Sequence, residues 1–469
     1  MENFGDFSVW GSFTLFSVLL ASLLVANVLK KALPFLRNSL IPTSVLGGGL
    51  LLLLSAVYKW ITGDVFFNTA AFGGNGSANL EILTYHTLAL GFIASTLKGA
   101  KGKLTKQRTV EIFNTGVTTV STYLLQGIAG MGLTMLISAF ILKDFFPVSG
   151  LLLPFGFGQG TGQAMNYGNI YETTYGFSGG KSFGLTIAAL GFLSASIGGV
   201  IHLNVIKHKR KGKVTEATPS VLHENEIESE NEIPMQESID KMTIQIALIA
   251  VAYLVSYLLM YLIGNLLPGM RSVIYGFNFL LGVISATLVK VILNLLKKCK
   301  LVKKDYTNDF LLTRASNFFF DVMVVAGIAA IRLDILERYW GIMLILGVVG
   351  LVVTYIYNRI VAVKHFPAYK EEQFLTMYGM LTGTASTGII LLREIDGDFR
   401  SPASDNMVYQ NFPAIVFGFP LMFLATLAPE KPVLTLIILV LFFAAMNVIL
   451  FRSFIFRKRT KTKKDGNLQ

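Results

Sequence analysis

The sequence predicts an all-α polytopic membrane protein: an inverted repeat of five transmembrane helices plus a re-entrant hairpin each, with an extra C-terminal helix. Three observations predict it. The composition is too apolar for a surface in water, the apolar residues gather into runs of bilayer length, and the basic residues cluster between those runs. Of 469 residues, 53% are hydrophobic and 14% charged, against roughly 25% charged in soluble domains. The formal charge of +12 invites a nucleic-acid reading. Lys and Arg, however, sit in short clusters beside long apolar runs, as the positive-inside rule expects, so no nucleic-acid partner is expected.

A spanning helix needs about 20 mostly apolar residues. The first run, 8–29, follows Glu2 and Asp6 rather than a basic segment, so it reads as a span and not as a cleavable signal. Further spans fall at 42–62, 80–97, 109–142, 183–206, 242–264, 272–296, 308–330, 337–358, 405–428 and 432–452, eleven in all. Two other apolar stretches, 147–167 and 374–392, are rich in Gly, Thr and Ser. Glycine in a helix interior costs roughly 1 kcal/mol against alanine, so these read as broken hairpins at about 147–170 and 372–395.

The charge map tests that reading. With the N-terminus outside, the loops at 30–41 and 98–108 fall inside and hold three and five Lys or Arg. A hairpin at 147–170 keeps Lys207, Lys209, Arg210, Lys211 and Lys213 inside, where an ordinary span would place them outside. The second hairpin does the same for Arg457, Lys458, Arg459 and Lys461. Inside segments then hold 31 Lys and Arg and outside segments seven, a bias that sets orientation. The chain divides into a first repeat (1–206), a cytoplasmic linker (207–241), a second repeat (242–428), and an extra helix with a basic cytoplasmic tail (429–469). Five spans is an odd number, so tandem copies are inverted, as in many secondary transporters. The linker has Pro219 and Pro234, lacks aromatics and turns acidic after His223; it reads as a flexible connector. Cys299, the one cysteine, lies among Lys297, Lys298 and Lys300, which excludes an internal disulfide and a multi-cysteine zinc site.

The hairpins are the candidate binding elements. The first contains Gly158, Gln159, Gly160, Thr161, Gly162, Gln163 and Asn166, and the second Gly383, Thr384, Ala385, Ser386, Thr387 and Gly388. Non-helical backbone is tolerated at membrane depth only where protein, water or a ligand satisfies its polar groups. A helix N-terminus at a hairpin tip offers N–H donors to an anion, and exposed carbonyls and hydroxyls suit a hard cation such as sodium. The competing reading, close packing of small residues between helices, is weakened by the recurrence of the pattern at matching places in both halves. Asp321 lies mid-span with Asn317 one turn earlier, a candidate cation or proton site because intramembrane carboxylates are costly. His86 occupies the corresponding place in the first half. Asn114 and Gln126 face either a cavity or a neighbouring helix. Arg393, with Glu394 and Asp396, suits a substrate carboxylate or a local ion pair. Asp321 also keeps a cation/proton antiporter open.

With these motifs in view, the chain resembles the bacterial sodium:glutamate symporter family over about residues 10–428. Residues Ile41-Pro42-Thr43-Ser44-Val45-Leu46-Gly47-Gly48 look like its second helix, and Leu90-Gly91-Phe92-Ile93-Ala94-Ser95 like its third. Gly156-Phe157-Gly158-Gln159-Gly160-Thr161-Gly162 is similar to its Gly-rich hairpin, with Gln159 in place of a His, and Gly383-Thr384-Ala385-Ser386-Thr387-Gly388 sits at its second break, without a Pro. The resemblance implies sodium-coupled uptake of glutamate by alternating access in the cell membrane, by a homodimer, with the binding residues in the two hairpins and sodium as the coupling ion. A carrier of another organic anion is the alternative. No enzyme is expected: the five histidines, His86, His202, His208, His223 and His365, are scattered, and the His-Glu-x-x-His arrangement of membrane metalloproteases is absent. Nothing resembles the repeat of a channel selectivity filter.

Overall fold

A computed structural model describes residues 4–98, 105–209, 232–233, 239–301, 303–397 and 400–455. The main helices, in order, are α1 (Phe7–Ala32), α2 (Thr43–Thr62), α3 (Gly76–Leu97), α4 (Lys106–Phe140), α5 (Leu152–Gln159), α6 (Thr161–Tyr175), α7 (Gly180–Lys209) and α8 (Lys241–Leu266). They continue with α9 (Asn278–Lys298), α10 (Asp309–Ala329), α11 (Leu333–His365), α12 (Lys370–Thr382), α13 (Ala385–Arg393), α14 (Ala403–Tyr409), α15 (Asn411–Leu427) and α16 (Pro432–Leu450). Among the described residues there is no strand, only an isolated bridge between Glu232 and Asp305. The protein is therefore an all-α polytopic membrane protein. Among the described residues, ten helices, α1–α4, α7–α11 and α16, are long and apolar enough to cross a bilayer.

The one remaining expected span, 405–428, is not one straight helix. It is the pair α14 and α15, whose axes bend by 52° at the break. Pro413 supplies the cause: it has no N–H for the carbonyl of Tyr409, and its ring crowds the preceding turn. The expected span 272–296 also starts late, because a short helix, Arg271–Gly276, ends at Phe277 before α9 begins. At both places expected to be hairpins the chain folds into two short helices packed on each other. In the first, Phe155 stacks on Tyr167 with ring centroids 3.8 Å apart, so α5 and α6 run side by side. In the second, the backbones of Gly379 and Gly388 meet so closely that a Cβ on Gly379 would come 2.8 Å from Gly388 Cα.

Packing sorts the helices into two groups. One contains α1–α3 with α8–α10; the other contains the hairpins with α4, α7, α11 and α14–α16. The pairings mirror each other between halves. Helix α1 packs on α2 as α8 packs on α9, α2 on α10 as α9 on α3, and α1 on α10 as α8 on α3. The helices α3 and α10 pair with each other, as do α4 with α11 and α5 with α12. The mirror fails at the end of each half. Helix α7 covers both arms of the first hairpin, whereas α15 leaves the second hairpin and packs chiefly on α4.

Exposed Leu, Val and Ile face outward from α1, α2, α8 and α16, for example Leu24, Leu53, Leu258 and Leu441, as lipid contact requires. The hairpins and α7 form the buried centre, with Phe155, Phe157, Phe183, Tyr167 and Tyr378 fully enclosed. Of the linker, only its helical start, residues 232–233 and its last three residues are described. Glu232 pairs at 2.8 Å with Lys241, a fully buried lysine at the start of α8. The basic tail residues Arg457, Lys458, Arg459 and Lys461 lie outside the described residues.

Candidate functional site

The two hairpin tips meet. A Cβ placed on Gly160 would lie 3.6 Å from Thr384 Cγ2 and 3.7 Å from Met323 Cε. Gly160 has φ +83° and ψ −174°, a region open essentially to glycine alone, and this conformation ends α5 and starts α6. Thr384 is extended and opens α13. Met323 lies on α10, whose carbonyl at that residue accepts a hydrogen bond from Thr161 Oγ1 at 3.4 Å. Gly327, one turn on, packs against the Thr161 side chain. Three elements far apart in sequence thus converge on one point.

Four helix ends converge there. Helices α6 and α13 start at the tips, so their first N–H groups lack intrahelical acceptors and carry the positive ends of the helix dipoles. Helices α5 and α12 finish at the same place and present terminal carbonyls. Two of those carbonyls are held from α4. Tyr123 Oη donates to Gly158 O at 3.0 Å, and Gln126 Nε2 donates to Leu381 O at 2.9 Å and to Thr354 Oγ1 at 2.8 Å. The arrangement offers N–H donors to an anion and oxygens to a hard cation.

The side chains differ between tips. Gly158, Gly160, Thr161, Gly162, Gln163 and Asn166 are buried and Gln159 is half-buried. Asn166 Nδ2 donates to Gln163 Oε1 at 3.4 Å and to Gly276 O at 3.1 Å. The amide nitrogens of Gln159 and Gln163 are buried without a hydrogen-bond partner, two further donors near the first tip. In the second hairpin Gly383, Thr387 and Gly388 are buried, Thr384 is half-buried, and Ala385 and Ser386 are exposed. Thr384 and Thr387 hydroxyls lie 3.4 Å apart.

Asn317 and Asp321 are not brought to the tips. Both are exposed on α10, and Asp321 precedes Met323 by two residues, which places it on the opposite side of that helix. Its carboxylate accepts instead from Ser44 of α2. His86 Nδ1 lies 2.6 Å from Tyr253 Oη and ties α3 to α8. Asn114 accepts from Arg452 at 3.1 Å, so it joins helices, whereas Gln126 reaches the hairpin. Arg393 is exposed at the end of α13. Asp396 accepts the backbone N–H groups of Arg400 and Ser401, both at 2.9 Å, and so shapes the following loop. Cys299 is free and exposed.

The sequence reading missed a polar seam behind the second hairpin. Along α4, Thr115, Thr118, Thr119, Thr122 and Gln126 are buried, and their three-and-four spacing was the available signal. At one end of the seam, Tyr369 Oη donates to Glu111 at 2.8 Å and accepts from Asn406 Nδ2 at 2.9 Å. Burial first, and then the Glu111 carboxylate, push the Tyr369 phenol well above its ordinary value, so it stays a donor. Beside it, Glu371 accepts both Arg359 nitrogens, at 2.7 and 2.9 Å, and lies 2.8 Å from His202 Nε2. That cluster fixes the base of α12 to α7 and α11. Among the described residues, no three His, Cys, Asp or Glu side chains gather as a metal site. No protein-family model matches the chain, and a search of curated proteins likewise returns no match.

Proposed function

We propose that this chain is a sodium-coupled secondary transporter that imports glutamate or a similar anionic amino acid by alternating access. The observation that carries the reading is the junction of Gly160 with Thr384, where two half-helix N-termini and two half-helix C-termini share one meeting point. A bound cation lowers the cost of placing an anion there, and the anion does the same for the cation. That mutual dependence is the physical basis of coupling.

The mirrored pairings support two repeats, 1–206 and 242–428, and five spans per repeat imply inversion. The charge bias supports an N-terminus outside and a cytoplasmic C-terminus, and the resemblance supports a cell-membrane location. The motif residues around Gly160 and Gly383 support kinship with the sodium:glutamate symporters, and through it a homodimer. Asp321, exposed within a span, favours proton coupling or cation exchange as the second reading.

Thermal melting of the purified protein tests the reading. Glutamate should raise the melting temperature in sodium and leave it unchanged in choline, because each ligand stabilises the folded state by mass action. Equal shifts in both salts would remove sodium coupling.

A further inference from the structure

The seam behind the second hairpin has a gap, and the gap is a cavity. From one side, Glu111 accepts from Tyr369, Tyr369 accepts from Asn406, and Asn406 donates to Gln373 Oε1 at 3.1 Å. From the other side, Gln126 links the hairpin carbonyl Leu381 O to Thr354 Oγ1, and Asn358 donates to the carbonyl of the same Thr354 at 3.0 Å. Between Gln373 and Asn358 lies a small, partly open space of about 10 Å³, lined by Thr118, Asn358, Gln373, Phe366 and Met377 among others. One water molecule needs roughly 10–15 Å³.

The polar atoms around the space define what fits. Asn358 is 2% exposed. Both its amide protons are committed, to Thr354 O and to Thr122 Oγ1 at 3.3 Å, while its Oδ1 has no partner. Turning the amide over would set that oxygen against the Thr354 carbonyl, so the orientation is fixed. Thr118 gives its proton to Asn114 O at 2.7 Å and keeps lone pairs for the cavity. Gln373 gives one amide proton to Thr115 Oγ1 at 3.3 Å and has a second proton uncommitted. The occupant must therefore donate to Asn358 and be able to accept from Gln373. A bare cation cannot accept, and no formal charge lines the cavity to offset its desolvation.

We propose that this cavity is a binding site for a single water molecule, and that the water joins the two parts of the seam into one hydrogen-bonded chain from Glu111 to Leu381 O. Asn358 is then a positioning residue: through the water it sets the first arm of the second hairpin against α4 and α11. The inference does not depend on what the hairpins bind.

A density map of the full chain in lipid nanodiscs, at a resolution that shows ordered water, tests it. A peak about 2.7–3.1 Å from Asn358 Oδ1, hydrogen-bond range, is the expected result. No peak, or one at the roughly 2.3–2.6 Å of an oxygen-coordinated cation, would overturn the proposal. Radiolytic labelling in ¹⁸O-water gives a second readout. Met377 and Phe366, each 2% exposed, should take up label because water sits beside them. Uptake should fall about fivefold or more in Asn358→Leu. Thr118→Val, which spares every amide bond, should also reduce it and keeps the test available if Asn358→Leu does not fold. Wild-type labelling no greater than at Phe155 or Phe183, which are fully buried, counts against the site.

Discussion

Gly160 and Thr384 face each other across the meeting point of two hairpins that lie over 200 residues apart in the chain; a Cβ on the first would stand 3.6 Å from the methyl of the second. Neither residue is charged. The tips present helix ends and amide groups, with no arginine or lysine among 158–163 or 383–388.

Gly160→Ala should be costly for a backbone reason. The nearest atoms leave room for a methyl group, but φ +83° with ψ −174° strains any L-residue by about 1–3 kcal/mol. The variant should melt several degrees lower and lose ligand-induced stabilisation. Gly132, with nothing within 4 Å of an added Cβ and a helical backbone, should accept alanine with no loss in the same melting assay.

Gln126→Leu should separate stability from function. It deletes two donated hydrogen bonds, each worth about 0.5–1.5 kcal/mol. It also removes a buried carbonyl oxygen that has no partner, which offsets part of that loss. The net cost should be near 1 kcal/mol by denaturation, while the released carbonyl at the end of α12 impairs sodium-dependent binding.

Lys181 sits at the N-terminus of α7, the wrong end of a helix dipole for a cation. It is held there by Glu81 of α3 at 2.5 Å, and its backbone N–H donates to Glu172 at 3.1 Å. The Lys181–Glu81 pair spans the two helix groups and is about a fifth to a quarter exposed, so its coupling should be modest, about 0.5–1 kcal/mol. A double-mutant cycle with Glu81→Gln and Lys181→Met checks this, and the exchange Glu81→Lys with Lys181→Glu should recover most of the stability lost by either reversal alone.

Glu371→Ala leaves Arg359 and His202 without their shared acceptor at the base of α12. Breaking such a part-buried cluster should cost about 1–3 kcal/mol, measured as a lower denaturation midpoint. Glu371→Gln retains one acceptor oxygen and should cost less.

The fold was largely readable because membrane burial is written in run length. Helix α16 has no charged residue along its whole length, and the hairpins announced themselves through clustered Gly and Thr. Pro413 was visible too, but a proline near a helix start is compatible with a straight span, so the 52° break emerged only from packing. Gly160, Thr161 and Thr384 were singled out for their local chemistry, and the structure brings them to one meeting point. Met323 and Tyr123 were not, since they contribute position and a phenol to a tip made elsewhere in the chain. Asp321 was singled out by the cost of a carboxylate in a span. The sequence pattern could not say that its side of α10 turns away from the tips.

The most direct test of sodium-coupled transport is uptake of labelled glutamate into proteoliposomes under an inward sodium gradient, repeated with choline in place of sodium. The account predicts accumulation in sodium alone, and its loss in Thr161→Val and Thr384→Val proteins that reconstitute normally. Absence of accumulation by well-folded wild-type protein, or equal uptake in choline, would contradict it.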